Sequence, residues 1–437
     1  MVSDDQTDLM NYQESPYILE NRATGRKFED TGWLLNDPLY PQPALLRSVY
    51  HKQQLQLKEE RYGFYRYADW LPVNRYLDRS SPPVTFRSQA LSKSLGLKNL
   101  YITFSGYWPN MGALMETCSF KECEAYSVCG RFASGESEQI LVVASAGNTA
   151  RAFAQICSDN QIPLLLCVPL DNIETLWFGR PLNECVRLVC TPKGSDYFDA
   201  IRLSETICSL PGFVEEGGAR NIARRDGMGV TVLSAATHIG TIPDYYVQAV
   251  GSGTGAIAAW EANMRLLQDG RFGNTKMNLI AVQNHPFTPM FDAWSAGSRA
   301  LLPFDEDFAR LQAKKIEAKV LSNRKPPYSL PGGLFDALTE SNGKIIKVFN
   351  QEIVKAAALF EALEEIDIHP ASAAALAGLQ NEIAKGTIAT DKVVMLHVTG
   401  GGERLFKRNR HLYYLQPDHI ISDNISAEEL STLLRRP

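Results

Sequence analysis

The 437-residue chain is long enough for a large core and, by size, for two domains. Its 45% apolar and 21% charged residues are ordinary for a globular enzyme, and a net charge of −5 with no long basic run gives nucleic-acid binding little support. No apolar stretch approaches the roughly 18 residues of a membrane span. The acidic start Met1-Val2-Ser3-Asp4-Asp5 lacks the apolar core of a secretory signal. Eight cysteines occur without a CxxC pair, so a reducing cytoplasm is the expected setting, with no disulfide framework.

In chain order, Ser80-Ser81-Pro82-Pro83 predicts a loop. The apolar run 141–145 predicts a buried strand, and a helix begins near Asn148. Runs 164–168, closed by Pro169, and 186–190 predict two more strands, and Asp196 opens another helix. Strand 246–250, helix 256–268 and strand 278–282 repeat the pattern. A long loop at 322–329 follows, then helices near 351–365 and 371–384 and the strand 393–398. Ser426-Ala427-Glu428-Glu429 reads as a capping box opening a terminal helix. Strands alternating with helices imply an α/β fold with mostly parallel sheets in two lobes. The expected division is a small, mobile substrate lobe at 118–222 and a discontinuous large lobe from 1–117 and 223–437.

Three glycine-bearing turns follow predicted strands. Gly251-Ser252-Gly253-Thr254-Gly255 precedes an Ala-rich helix, where free backbone N–H groups and about half a positive charge favour a phosphate. A dinucleotide site would want an acidic residue about 20 positions on, at the end of the next strand. That strand ends in Gln283-Asn284. A plain tight turn is the remaining alternative. Ser145-Ala146-Gly147-Asn148-Thr149 offers hydroxyls, an amide and N–H groups to a carboxylate, and reads equally as an ordinary helix cap. Thr399-Gly400-Gly401-Gly402 puts a hydroxyl at the end of the last strand. Lys121, taken alone, is a solvated surface lysine; in a desolvated pocket beside these loops it becomes a nucleophilic amine.

The order of Ser119-Phe120-Lys121, Ser145-Ala146-Gly147-Asn148-Thr149, the loop 251–255 and Thr399-Gly400-Gly401-Gly402 resembles fold-type II pyridoxal phosphate (PLP) enzymes, the threonine synthases in particular. Longer runs resemble their cysteate synthase branch more closely: Phe104-Ser105-Gly106-Tyr107-Trp108-Pro109, Thr117-Cys118-Ser119-Phe120-Lys121-Glu122, Glu216-Gly217-Gly218-Ala219-Arg220-Asn221, and Asn323-Arg324 with Pro326-Pro327-Tyr328-Ser329. The resemblance covers about 60–420 and implies a fold like the tryptophan synthase β chain, assembled as a homodimer.

It further implies that Lys121 carries the cofactor and moves the α-proton, and that Asn148 meets the cofactor 3′-oxygen. Gly251, Ser252, Gly253, Thr254 and Gly255 would bind the cofactor phosphate, and Thr399 would face the ring nitrogen. Ser119, Ser145, Ala146, Gly147 and Thr149 would hold the substrate carboxylate. Arg220, Asn221 and Arg224 would grip a substrate phosphate, with Arg225 as a neighbour of the same potential, unless the cluster is only a solvated helix start. Asp226-Gly227-Met228-Gly229 reads as a turn that brings these arginines to the cleft mouth.

The implied reaction is β-replacement on O-phospho-L-serine by sulfite, giving L-cysteate and phosphate. Alternatives are threonine synthesis from phosphohomoserine and water, a natural-product replacement with another nucleophile, and a non-catalytic binding protein of the same fold. The chain departs from the family in lacking cysteines in 17–26, so no metal is expected there. It also carries Ala150 after the asparagine loop and His369 before Pro370 where an acidic residue is usual.

Overall fold

The computed structural model describes residues 15–58, 63–132, 139–422 and 424–434. The acidic start lies outside them. Two sheets organise the chain. The larger has six strands in the order Lys344–Val348, Asn278–Asn284, Tyr245–Ala249, Val393–Val398, Asn99–Phe104, Val84–Arg87. All neighbours are parallel except the last pair. The smaller is wholly parallel, in the order Phe213–Glu215, Ile140–Ala144, Leu164–Pro169, Val186–Thr191, His419–Ile420. A three-stranded antiparallel sheet of Lys27–Phe28, Tyr17–Asn21 and Leu46–Tyr50 stands near the start.

The strands read from apolar runs fall within two residues of their expected places, because a parallel strand covered on both faces is apolar throughout. Leu164–Pro169 is buried at every position. The expected helices are found at Asn148–Asp159, Tyr197–Cys208, Thr254–Asp269, Asn350–Glu364 and Pro370–Ala384. Asp196 caps its helix reciprocally with Asp199, and Ser426 with Glu429 does the same for the terminal one.

Two expectations are corrected. Asp226-Gly227-Met228-Gly229 is no turn; it lies inside the 18-residue helix Ile222–Ile239. Its glycines serve close packing. A Cβ on Gly227 would fall 2.3 Å from the Cys123 carbonyl oxygen, and one on Gly229 would fall 3.2 Å from that of Ala258. The helix therefore lies tight against both the Lys121–Arg131 helix and the Thr254–Asp269 helix. The end of the chain also departs from the division expected at 223–437. His419–Ile420 pairs with the smaller sheet, and Leu430 and Leu434 join the apolar cluster of Leu203 and Ile207.

Gly227→Ala is expected to force the lysine helix outward at an overpacking cost of about 1–3 kcal/mol. A lowered melting temperature by circular dichroism checks this; an unchanged one means the helices have room for a methyl.

Candidate active site

The turns singled out in the sequence gather at the C-terminal edges of the two sheets, the usual place for ligands in open α/β sheets. Tyr245–Ala249 runs into the loop 251–255, and its parallel neighbour Val393–Val398 runs into Thr399. Ile140–Ala144 of the smaller sheet ends at Ser145. The lysine segment joins the edge by its backbone. Phe120 N–H donates to the Thr399 carbonyl at 3.0 Å, and Gly401 N–H to the Cys118 carbonyl at 3.1 Å. Gly400 must lack a side chain here: a Cβ would stand 2.3 Å from His369 Nδ1 and 2.8 Å from the Cys118 oxygen.

The glycine loop is pressed from behind. A Cβ on Gly251 would meet the Val320 oxygen at 2.8 Å, and one on Gly255 the Gln248 amide at 2.6 Å. Gly253 has φ +80°, in the left-handed region that favours glycine. Ser252 Oγ and Thr254 Oγ1 lie 2.9 Å apart at the start of a 16-residue helix. Bare backbone, two hydroxyls and a helix N-terminus form an anion cradle.

In the second loop, Ser145 Oγ accepts from Gly147 N–H at 3.2 Å and Ala150 N–H at 3.1 Å, so its hydroxyl fixes the turn. Ala146 is half-buried beside it, and a Cβ on Gly147 would meet nothing, so this turn rims open space. Asn148 Oδ1 accepts from Arg151 at 3.0 Å, which leaves the amide nitrogen as the end that can meet a ligand oxygen. Arg151 is itself buried over the Trp177 ring at 4.0 Å. Thr399 Oγ1 is 3.3 Å from Ser372 Oγ, a residue the sequence reading passed over. Ser119 Oγ is buried and finds no partner among the described residues.

These features fit a pyridoxal phosphate: an anion cradle, a neutral hydroxyl beneath a ring, an amide donor, an orphaned hydroxyl and a lysine. Residues 85–400 match the family described as pyridoxal-phosphate dependent enzyme. The chain belongs to that family. Its cofactor is pyridoxal phosphate. Cysteate synthase from Methanosarcina acetivorans is 44% identical over 389 residues, 89% of this chain and 93% of the relative. That from Methanocella paludicola is 48% identical over 367 residues, 83% and 85% of the two chains. This family member shares the fold of maize serine racemase, with a TM-score of 0.58 at 16% identity over 73% of this chain and 88% of that one. A pyridoxal 5'-phosphate-dependent aspartate racemase gives 0.55 at 16% identity over 75% and 92%. The fold class is thus fold-type II, with mostly parallel sheets. Among the described residues no helix is long and apolar enough to cross a membrane.

The charged wall of the site holds what the sequence reading missed. Lys121 Nζ lies 3.1 Å from Glu124, one turn on in the same helix. Burial lowers the lysine pKa, Glu124 opposes that shift, and Arg224 adds to it. Glu124 also accepts from Thr149 Oγ1 at 2.9 Å and lies 3.2 Å from Arg224. Arg224 Nε donates to Glu216 at 2.8 Å. The other members of the expected phosphate grip are engaged elsewhere. Asn221 caps its helix through Ala223 N–H at 3.0 Å and accepts from Arg131 at 3.0 Å. Arg225 is fully buried against Glu261 and the carbonyls of Ala219 and Leu46. Arg220 pairs with Glu215. A lone Glu on a helix ordinarily signals a solvated face; only the spacing to Lys121 hinted otherwise.

A neutral network backs the loops. Tyr246 OH is 2.9 Å from both Gln248 Oε1 and His397 Nδ1, and His397 Nε2 is 3.4 Å from Ser105 Oγ. Burial pushes His397 down to about 3, so the ring stays uncharged. A separate cavity of about 720 Å³ lies on the other face of the lysine helix, lined by Glu122, Tyr126, Pro82 and Arg180 among others.

Burial raises Glu122 from 4.5 to about 7, against a 2.6 Å hydrogen bond from Thr117 N–H. A raised carboxyl contributes stability that is full below its unfolded pKa and is lost as pH rises through the folded one. Glu122→Gln should therefore gain melting temperature relative to the parent between pH 5 and pH 8. An unchanging difference would mean that the carboxylate is ionised throughout.

Proposed function

We propose that this chain replaces the phosphate of O-phospho-L-serine with sulfite, giving L-cysteate and inorganic phosphate. The Cβ–O bond breaks and a Cβ–S bond forms. The observation that carries the reading is the 44–48% identity to proteins named cysteate synthase over most of both chains. Pyridoxal phosphate, when bound, supplies the electron sink that makes the α-proton removable.

The residues divide the remaining work. The loop Gly251, Ser252, Gly253, Thr254 and Gly255 holds the cofactor phosphate with backbone N–H groups. Thr399 would meet the ring nitrogen and Asn148 the 3′-oxygen of the bound cofactor, the Asn148 amide being already turned by Arg151. Ser119 and the turn Ser145, Ala146, Gly147 and Thr149 receive the substrate carboxylate. Lys121 Nζ holds the cofactor, takes the α-proton and returns it; a pKa lowered by burial keeps more of the amine free to do so. Arg224, with an N–H edge toward Lys121's neighbour Glu124, draws the phosphate. Of the three residues first considered for that grip, Asn221 acts through the helix that carries Arg224, and Arg220 stands further out. We further propose a cytoplasmic homodimer; the eight free cysteines suit a reducing compartment.

Product analysis of the cofactor-loaded enzyme tests the reading. Phosphoserine with sulfite should yield cysteate, and phosphohomoserine should yield no threonine. Cysteate formation absent under these conditions would overturn the assignment of substrate and nucleophile.

Borohydride reduction should fix the pyridoxyl group on Lys121, seen by peptide mapping, and Lys121→Ala should abolish turnover. A label on another lysine would remove Lys121 from the chemistry.

A further inference from the structure

Glu124 has no part in the reaction above, yet three groups assigned to it converge on its carboxylate. Oε2 is 3.1 Å from Lys121 Nζ. Oε1 accepts from Thr149 Oγ1 at 2.9 Å and lies 3.2 Å from Arg224. Its side chain is fully buried, so these donors take the place of water around the carboxylate. Arg224 is fixed on its other edge by Glu216, which is itself tied to Gly218 N–H at 3.0 Å. The guanidinium therefore has one edge held by the protein and one edge, facing Glu124, that can be exchanged. Arg224 stands against two carboxylates, Glu124 and Glu216, so the cluster has no surplus positive charge even when Lys121 is counted as a cation. A substrate phosphate, which needs two or more donors and a positive field, meets donors already satisfied by a carboxylate.

We propose that Glu124 is an internal stand-in for the substrate phosphate: it holds Arg224 ready, yields it to the incoming phosphate, and takes it back when phosphate is released. The proposal rests on the assignment of Arg224 to the substrate phosphate. Its consequence is selectivity. A bare phosphate ion must displace Glu124 with no other anchoring. An amino-acid phosphate brings a carboxylate and an amine that help to drive the exchange. Glu124 thus weakens retention of the inorganic phosphate product.

The test titrates inorganic phosphate by calorimetry into cofactor-loaded protein, in which the glycine cradle is already filled. Glu124→Gln keeps an acceptor oxygen for Thr149 but removes the charge. It should bind phosphate about tenfold or more tightly than the parent. Adding Arg224→Ala should abolish that gain. Glu124→Asp stays charged but draws back from Arg224, so a smaller gain is expected, and it decides the matter should the Gln variant not fold. A gain is also what a merely structural role for Glu124 would not produce.

No gain in either Glu124 variant overturns the proposal, as does a gain that survives Arg224→Ala. The two readings fail separately. A parent enzyme that makes cysteate while its Glu124 variants show no gain loses only the stand-in role. A parent that makes no cysteate from phosphoserine loses the substrate assignment, while the titration still judges Glu124.

Discussion

The site depends on how closely the helix Ile222–Ile239 approaches its two neighbours. Gly227 brings it against the Cys123 carbonyl of the lysine helix, and Gly229 against the Ala258 carbonyl of the helix that begins at the glycine loop. The contact at Gly227 is too tight for a side chain, and a side chain at Gly229 would press the neighbouring helix outward. One rigid spine therefore sets the separation of the lysine from the phosphate cradle. Its own first turn carries Arg224, so the cation that faces Glu124 is placed by the same element. Asn221 and Arg131 lock where that turn begins: the asparagine amide caps Ala223 N–H, accepts from Arg131 and donates to the Glu216 carbonyl. Glu216, the residue that fixes Arg224, is thereby tied into the cap.

The parallel strands were legible because burial on both faces leaves a continuous apolar run, which composition alone reveals. The glycine loop stood out because close backbone approach demands glycine, whereas Lys121 stood out only in the company of the three loops and through the family resemblance. The spine helix did not. Glycine is disfavoured inside helices, so Asp226-Gly227-Met228-Gly229 reads locally as a turn. Only the tertiary contact, which forbids a Cβ, explains the choice. The strand His419–Ile420 is two residues long and carries no periodicity. Glu124, Glu216, Gln248 and His397 escaped for a related reason. Their roles come from burial beside residues up to about a hundred positions or more away, and a single polar residue in a helix or strand does not announce its burial.

What results is a site with two electrical halves. One wall is charged: Lys121, Glu124, Arg224 and Glu216 alternate in sign, with both carboxylates buried. The other is neutral. Thr399 has the Ser372 hydroxyl as its polar neighbour, and behind it His397, Tyr246 and Gln248 form an uncharged chain. A ring nitrogen facing a hydroxyl has no carboxylate to hold a proton on it, which limits how far negative charge is drawn into the ring. Charge on the α-carbon is then better discharged by expelling a group from the β-carbon. The charged wall is where such a group, itself an anion, can be received. On the proposed assignment, phosphate departure would be favoured by an Arg224 edge that can be exchanged, and phosphate release by a carboxylate that competes for the same edge. On the same assignment the neutral half would favour elimination and replacement over deeper carbanion chemistry, and the charged half would select which anion leaves.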